Sequence, residues 1–309
     1  MKNIILHMGR IKIGLFILAG LLFSFMADGQ QIPQYTQYMF NNYITNPAVA
    51  GTYNFFQIRA SGRYQWVGLN DAPQTTGISI FGPLSKKDMG WGSNLFMDVT
   101  GPTSRMSLMG SYAYNMPINE DFRISGGISF GILQYKVDRS KLTLGDNANN
   151  VSDPAIDRVS SALTPDANIG FYVYNSLHYL GISAHQLFGQ KIKVNDEAEG
   201  VNRLRQHIIV CTGTRILLNR NYDVEPGLLL KFPFGSKFQF ELNTKVTYKS
   251  QVWGGLSYRF RDALAIMIGY NYKKRYVIGY SYDYSYTAIR QYQSGTHEIM
   301  LGYIFDKIK

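Results

Sequence analysis

One cysteine, Cys211, in 309 residues rules out an intramolecular disulfide. A secreted chain without disulfides needs another brace. A closed barrel supplies one, because it pairs every strand edge. Cys211 itself reads as a small side chain inside a strand. Beyond the first 29 residues there is no run of ~18 consecutive apolar residues, which excludes a helical membrane protein. Lysine and arginine never form a block of five, so the formal net charge of +10 does not come from an electrostatic tail, and no nucleic-acid partner is expected. Metal and catalytic spacings are also missing. His178, His185, His207 and His297 have no H-E-x-x-H arrangement. Asp146-Asn-Ala-Asn-Asn150 lacks the glycine and distal glutamate of a calcium loop. Gly127-Ile-Ser-Phe-Gly131 matches G-x-S-x-G, but inside a strand pattern, whereas a nucleophile elbow needs a strand-to-helix turn. We therefore expect no enzyme, no cofactor and no metal.

What the chain does have begins with a targeting segment. Lys2, Arg10 and Lys12 precede an apolar core, Ile13 to Phe25, and Ala27-Asp28-Gly29 puts small residues at both recognition positions. This is the pattern of a secretory signal peptide spanning 1–29, cleaved after Gly29. No cysteine follows it closely, which argues against a lipoprotein.

The remaining chain is rich in tyrosine (23) and glycine (30), residues suited to strands, membrane interfaces and tight turns. Phe122 to Ile132 alternates: Phe122, Ile124, Ile128, Phe130 and Ile132 against Arg123, Ser125, Gly127, Ser129 and Gly131. Phe238–Tyr248 and Tyr276–Tyr284 alternate in the same way. Period two means strands with one apolar and one polar face. Alternation alone fits a sandwich or a barrel. Strands of about ten residues, aromatics near strand ends and the leader favour an all-β, transmembrane antiparallel β-barrel of the bacterial outer membrane, its apolar face toward lipid.

About fourteen strands are expected, at roughly 54–66, 75–83, 90–99, 103–116, 121–135, 165–174, 177–187, 202–218, 222–232, 237–248, 251–260, 263–272, 275–284 and 296–305. The count places the long connections 136–164, 188–201 and 285–295 at one end and short turns at the other, the usual rule for these barrels. The expected domains are the leader, an N-terminal segment 30–53, and a barrel over 54–309, with both termini periplasmic. Tyr303-Ile-Phe305 supplies an aromatic end, although Asp306 to Lys309 extends past it. Polar faces give an inward set: Gln57, Arg59, Arg63, Gln65, Asp98, Arg123, Arg205, His207, Arg215, Glu225, Lys231, Glu241, Lys245, Arg259, Arg275, Asp283 and Glu298. Their mixed signs suggest ion pairs across the interior.

The segment after the leader carries the most specific residues. Gln34-Tyr35-Thr36-Gln37-Tyr38-Met39-Phe40-Asn41 is followed by Asn46-Pro47-Ala48-Val49-Ala50-Gly51-Thr52, and then by Arg63-Tyr-Gln65-Trp66 and Asp71-Ala-Pro73-Gln-Thr75. These two stretches resemble the signature of the PorP/SprF family, outer-membrane proteins of the type IX secretion system and gliding motility; Asn42-Tyr43 departs from the usual step. The resemblance implies a non-enzymatic accessory barrel that binds other secretion components. It also implies help in the export or surface attachment of adhesin-like substrates through their C-terminal domains. A general porin or solute channel is the alternative. On the residues alone, a Gln/Asn/Tyr segment suits a polar lumen, and Pro47 forces an extended approach to the first strand. Gln34, Tyr35, Gln37, Tyr38, Asn46 and Pro47 are therefore candidate contacts of a lumen plug or a periplasmic strip. Arg63, Gln65, Trp66 and Pro73 are candidates to pin it. Protein sequencing of the exported chain is expected to begin at Gln30; a start at Met1 would contradict the signal-peptide reading.

Overall fold

The computed structural model describes residues 32–84, 88–138, 141, 160–192 and 202–307. The expected leader, Asp146–Asn150 and most of the connections 136–164 and 188–201 lie outside the described residues.

Fourteen antiparallel strands close into one barrel. They are β1 (Phe55–Tyr64), β2 (Gln74–Pro83), β3 (Met89–Thr100), β4 (Thr103–Pro117), β5 (Arg123–Val137), β6 (Ser160–Tyr174), β7 (His178–His185), β8 (His207–Thr214, continued by Ile216–Leu217), β9 (Tyr222–Pro233), β10 (Gln239–Tyr248), β11 (Val252–Arg259), β12 (Ala263–Tyr272), β13 (Tyr276–Ser285) and β14 (Thr296–Lys307). Each strand pairs with its sequence neighbour. β1 then pairs with β14, from Gln57↔Ile304 to Tyr64↔His297, and leaves no free edge. Closure matters because hydrocarbon offers no partner for an unpaired amide.

The faces settle the choice between barrel and sandwich. Phe130 is 59% exposed while its neighbour Ser129 is 3% exposed. Leu256, Ile266 and Ile268 also lie on the outer surface. Apolar side chains out and polar side chains in is the inverse of a soluble core. Tyrosines crowd the barrel ends: Tyr222–Tyr248 and Tyr276–Tyr303 ring pairs at one end, 4.8 and 5.1 Å between centroids, and stacked Tyr258–Tyr286 at the other. Such girdles mark membrane–water interfaces.

The connections follow the expected parity. The β5–β6, β7–β8 and β13–β14 connections leave the barrel at one end, and 65–73, a fourth sizeable loop that the sequence reading leaves unmarked, joins β1 to β2 there. The other end carries the short turns 84–88, 118–122, 175–177, 218–221, 249–251 and 273–275.

Two strand starts differ from expectation. β6 begins at Ser160 rather than near 165, because Ser160–Thr164 pair with Leu133–Val137 of β5. Pro165 is tolerated there: β6 pairs with β7 only from Ile169 onward, so the proline lies on a locally unpaired edge and its missing N–H costs no ladder bond. β8 begins at His207 rather than 202, because Asn202–Arg203 pair with Lys191–Ile192 in a separate hairpin within the β7–β8 connection.

The lipid face predicts a depth-dependent response. Ile268→Arg, mid-strand in β12, is expected to cost about 2–4 kcal/mol in a folding titration into vesicles. Tyr276→Arg at the aromatic girdle is expected to cost about 0–1 kcal/mol. Equal costs would contradict this placement.

Candidate functional site

Inward-facing residues do not line an empty lumen. Residues 33–50 lie among them in three short 3-10 turns, Tyr38–Phe40, Asn42–Ile44 and Pro47–Val49. Thr36, Ala48 and Ala50 have no exposed surface. Short turns leave many backbone groups unpaired, so the wall must supply partners.

At the long-loop end, two carboxylates and two guanidiniums converge on Thr36. Arg63 near the end of β1 pairs with Asp283 (2.8 Å) and Glu298 (3.0 Å). Arg259 at the end of β11 pairs with Glu241 (3.0 Å), Asp262 (3.1 Å) and Asp283 (3.2 Å). The Thr36 hydroxyl donates to Asp283 (2.8 Å) and accepts from Arg63 (2.6 Å) and Arg259 (3.2 Å). One donor and two acceptor sites are thus all used. Glu298 accepts the backbone N–H of Thr36 (2.7 Å) and of Gln37 (3.0 Å), so one carboxylate satisfies two consecutive amides. Gln34 donates to Glu241 (3.3 Å) and accepts from Lys231 (2.5 Å).

From there the segment runs toward the short-turn end. Tyr38 accepts a hydrogen bond from Asn243. Phe40 packs on Trp253, with ring centroids 3.9 Å apart, and under the Lys245 ammonium. Asn41 donates to Ser79 (2.8 Å), and the Tyr43 hydroxyl bonds Ser111 (2.7 Å). The Thr45 carbonyl accepts from Ser183 (2.6 Å) and from His185 Nε2 (2.8 Å). Asn46 has two jobs. Its side-chain oxygen caps the third turn by accepting the Ala48 N–H (2.9 Å), with Pro47 at the first helical position. Its amide nitrogen donates to the Phe171 carbonyl (2.9 Å) on β6.

Two contacts need glycine. A Cβ on Gly127 would sit 2.5 Å from Ala48 Cα, so the G-x-S-x-G match is a seat for the segment. Gly51, at φ +81°, presses against Gly90 of β3 so closely that a Cβ would come within 2.6 Å of Gly90 Cα. Burial raises the Tyr43 phenol to about 12, against the lowering effect of the Ser111 bond. Burial likewise raises Tyr35, reinforced by Glu298, and Tyr38, reinforced by Glu241, so these phenols stay neutral.

The candidate residues divide into two groups. Gln34, Tyr35, Gln37, Tyr38, Asn46, Pro47 and Arg63 all belong to this interior assembly, with the Tyr35 hydroxyl against Gly77 of β2. Gln65, Trp66 and Pro73 shape the β1–β2 loop instead. The Gln65 N–H bonds the Pro73 carbonyl (2.9 Å), and the Trp66 N–H bonds Thr296 (3.0 Å). The expected position of the segment at the entrance of β1 needs correction as well. Its last residues do lie beside that entrance, but residues 34–37 are held at the opposite, long-loop end. The physical reason is charge: the carboxylates able to accept their amides sit there. Sequence reasoning missed Thr36, although it lies between two chosen residues, and Asp262, which sits in a turn outside the strand pattern.

The expected ion pairs also occur elsewhere in the interior, as Arg105–Asp98 (2.5 Å) and Lys245–Glu225 (2.7 Å). Among the described residues no cluster of metal-ligating side chains occurs.

The family model described as "Type IX secretion system membrane protein PorP/SprF" matches residues 27–303. No curated protein sequence matches. Among solved structures the chain is similar in fold to "CymD monoaromatic hydrocarbon channel" (9% identity, TM-score 0.51, covering 91% of this chain and 96% of that one). It is also similar to a Pseudomonas aeruginosa FadL homologue (11% identity, TM-score 0.45, covering 92% and 96%).

Thr36→Val keeps shape and removes the shared hydroxyl; it is expected to cost about 1–3 kcal/mol in a denaturant titration. Arg63→Ala, which leaves buried Glu298 without a cation and Asp283 with Arg259 alone, is expected to cost about 3–5 kcal/mol. Gln65→Ala is expected to stay within about 0.5 kcal/mol. A Gln65 effect as large as that of Arg63 would contradict this division.

Proposed function

The chain belongs to the PorP/SprF family of type IX secretion system membrane proteins, and from that premise we propose that it acts by binding, without catalysis, as an accessory barrel whose lumen is plugged. The observation that carries this reading is the N-terminal segment, bonded to inward side chains on both sides of the wall and along most of its height. A general porin keeps its lumen open to water. Here the segment stands between a cavity of about 80 Å³ on the long-loop side and one of about 540 Å³ on the short-turn side. Ser129 of the G-x-S-x-G match lies inside β5 and is hydrogen-bonded to Ser111 (2.8 Å).

In this reading the short-turn end faces the periplasm, with the C-terminus and the other secretion components. The long-loop end faces outward, as in most such barrels. The loops 65–73, 138–159, 186–206 and 286–295 then form the surface that grips the C-terminal domain of a secreted adhesin-like substrate during export or attachment. Outer-membrane lipid is the remaining partner.

Deleting the gene is expected to abolish surface display of at least one type IX substrate; unchanged display of every substrate would overturn the role. In planar bilayers the intact barrel is expected to show little conductance and a variant lacking residues 32–50 a steady open pore. Equal, large conductance from both would favour the channel instead.

A further inference from the structure

The long-loop cavity carries a chemical signature of its own, independent of the proposed secretion role. Its walls are mostly apolar, with Phe96, Met109, Leu133 and Ile209 among them. Two acceptors without adequate partners also line it. Asp166, on β6, is 5% exposed, and among the described residues its carboxylate accepts only the neighbouring Ala167 N–H (2.8 Å). Gln186, just past β7, is also 5% exposed, and its side-chain oxygen has no hydrogen-bond partner. No described cation pairs with Asp166. Four other titratable groups line the cavity: Lys231 donates to Gln34, His185 bonds the Thr45 carbonyl, Tyr38 accepts from Asn243, and the Tyr35 hydroxyl lies against Gly77.

An uncompensated buried carboxylate is among the most costly groups a protein can hold. The Gln186 side-chain oxygen, an acceptor, cannot itself donate to the Asp166 carboxylate while that group is ionised. What the pair lacks is a donor with positive charge. The apolar walls around it lack something to cover them. A cavity of about 80 Å³ has room for several water molecules, which is enough for a short alkyl chain or a single side chain.

We propose that this cavity binds a primary ammonium carried on an apolar stem. The ammonium donates to the Asp166 carboxylate and the Gln186 side-chain oxygen, while the stem packs on Met109, Leu133 and Ile209. The same chemistry occurs in a free alkylamine and in a lysine side chain of a polypeptide, and the test separates the two.

The full chain, folded in detergent and checked by its heat-dependent gel mobility, is titrated with n-pentylamine and with 1-pentanol. The amine is expected to bind at least tenfold more tightly. Asp166→Asn is expected to abolish that preference. Gln186→Leu, a loop-side change that leaves the strands intact, is expected to weaken amine binding severalfold. A lysine-centred blocked pentapeptide and its norleucine counterpart form the second arm. Tenfold discrimination by the peptide pair assigns the site to a lysine side chain; discrimination by the pentylamine pair alone assigns it to a free amine. Parity of amine and alcohol in the wild type, as a protonated Asp166 would give, overturns the proposal. So does a preference that survives both substitutions.

Discussion

A strand crossing hydrocarbon must find every backbone partner within the sheet, since an unpaired amide or carbonyl there costs several kcal/mol. The rest of this molecule follows from that constraint. It forces β1 onto β14, sends the apolar side of each strand outward and leaves the polar side to line an enclosed lumen. An enclosed lumen of fourteen strands is wider than its own side chains can fill. Residues 33–50 lie within it against inward-facing side chains of the wall.

Shaping is visible residue by residue. Small side chains occur where the segment touches the wall: Gly127 under Ala48, Gly90 under Gly51, and Ser79, Ser111, Ser125 and Ser183 where a hydroxyl meets a segment group. Charges occur where backbone amides need acceptors. Buried ion pairs are weak arguments for net stability, because desolvation offsets their attraction. Their value here is in specifying position: Arg63 and Arg259 hold Asp283 and Glu298 in the orientation that receives Thr36 and Gln37. Removing one member leaves its partners buried with fewer ion pairs, so the members of the cluster depend on one another.

Much of the wall was legible in the sequence because its signal is local. The period-two stripe from Phe122 to Ile132 states which side chains face lipid, and the parity of loop lengths fixes the strand count. Pro165 misled because a proline reads as a strand start; only pairing partners reveal that β6 runs past it as an edge. The segment was legible in composition but not in direction. Nothing in Gln34–Tyr38 says that its acceptors lie on β13 and β14, some 250 residues away in sequence. Arg63 stood out through its motif. Its motif neighbours Gln65, Trp66 and Pro73 belong to a loop, since spacing alone does not separate a residue that points inward from one that turns the chain.

The single cysteine offers the most direct check on a lumen occupied by its own N-terminal segment. Cys211 faces inward on β8, 1% exposed, in the cluster that contains Tyr38, Tyr43 and Ala48. A hydrophilic maleimide added to the folded wild-type barrel is predicted to leave Cys211 unmodified, and to label it rapidly once residues 32–50 are removed. Labelling of the intact protein at the rate of a free thiol would contradict the account.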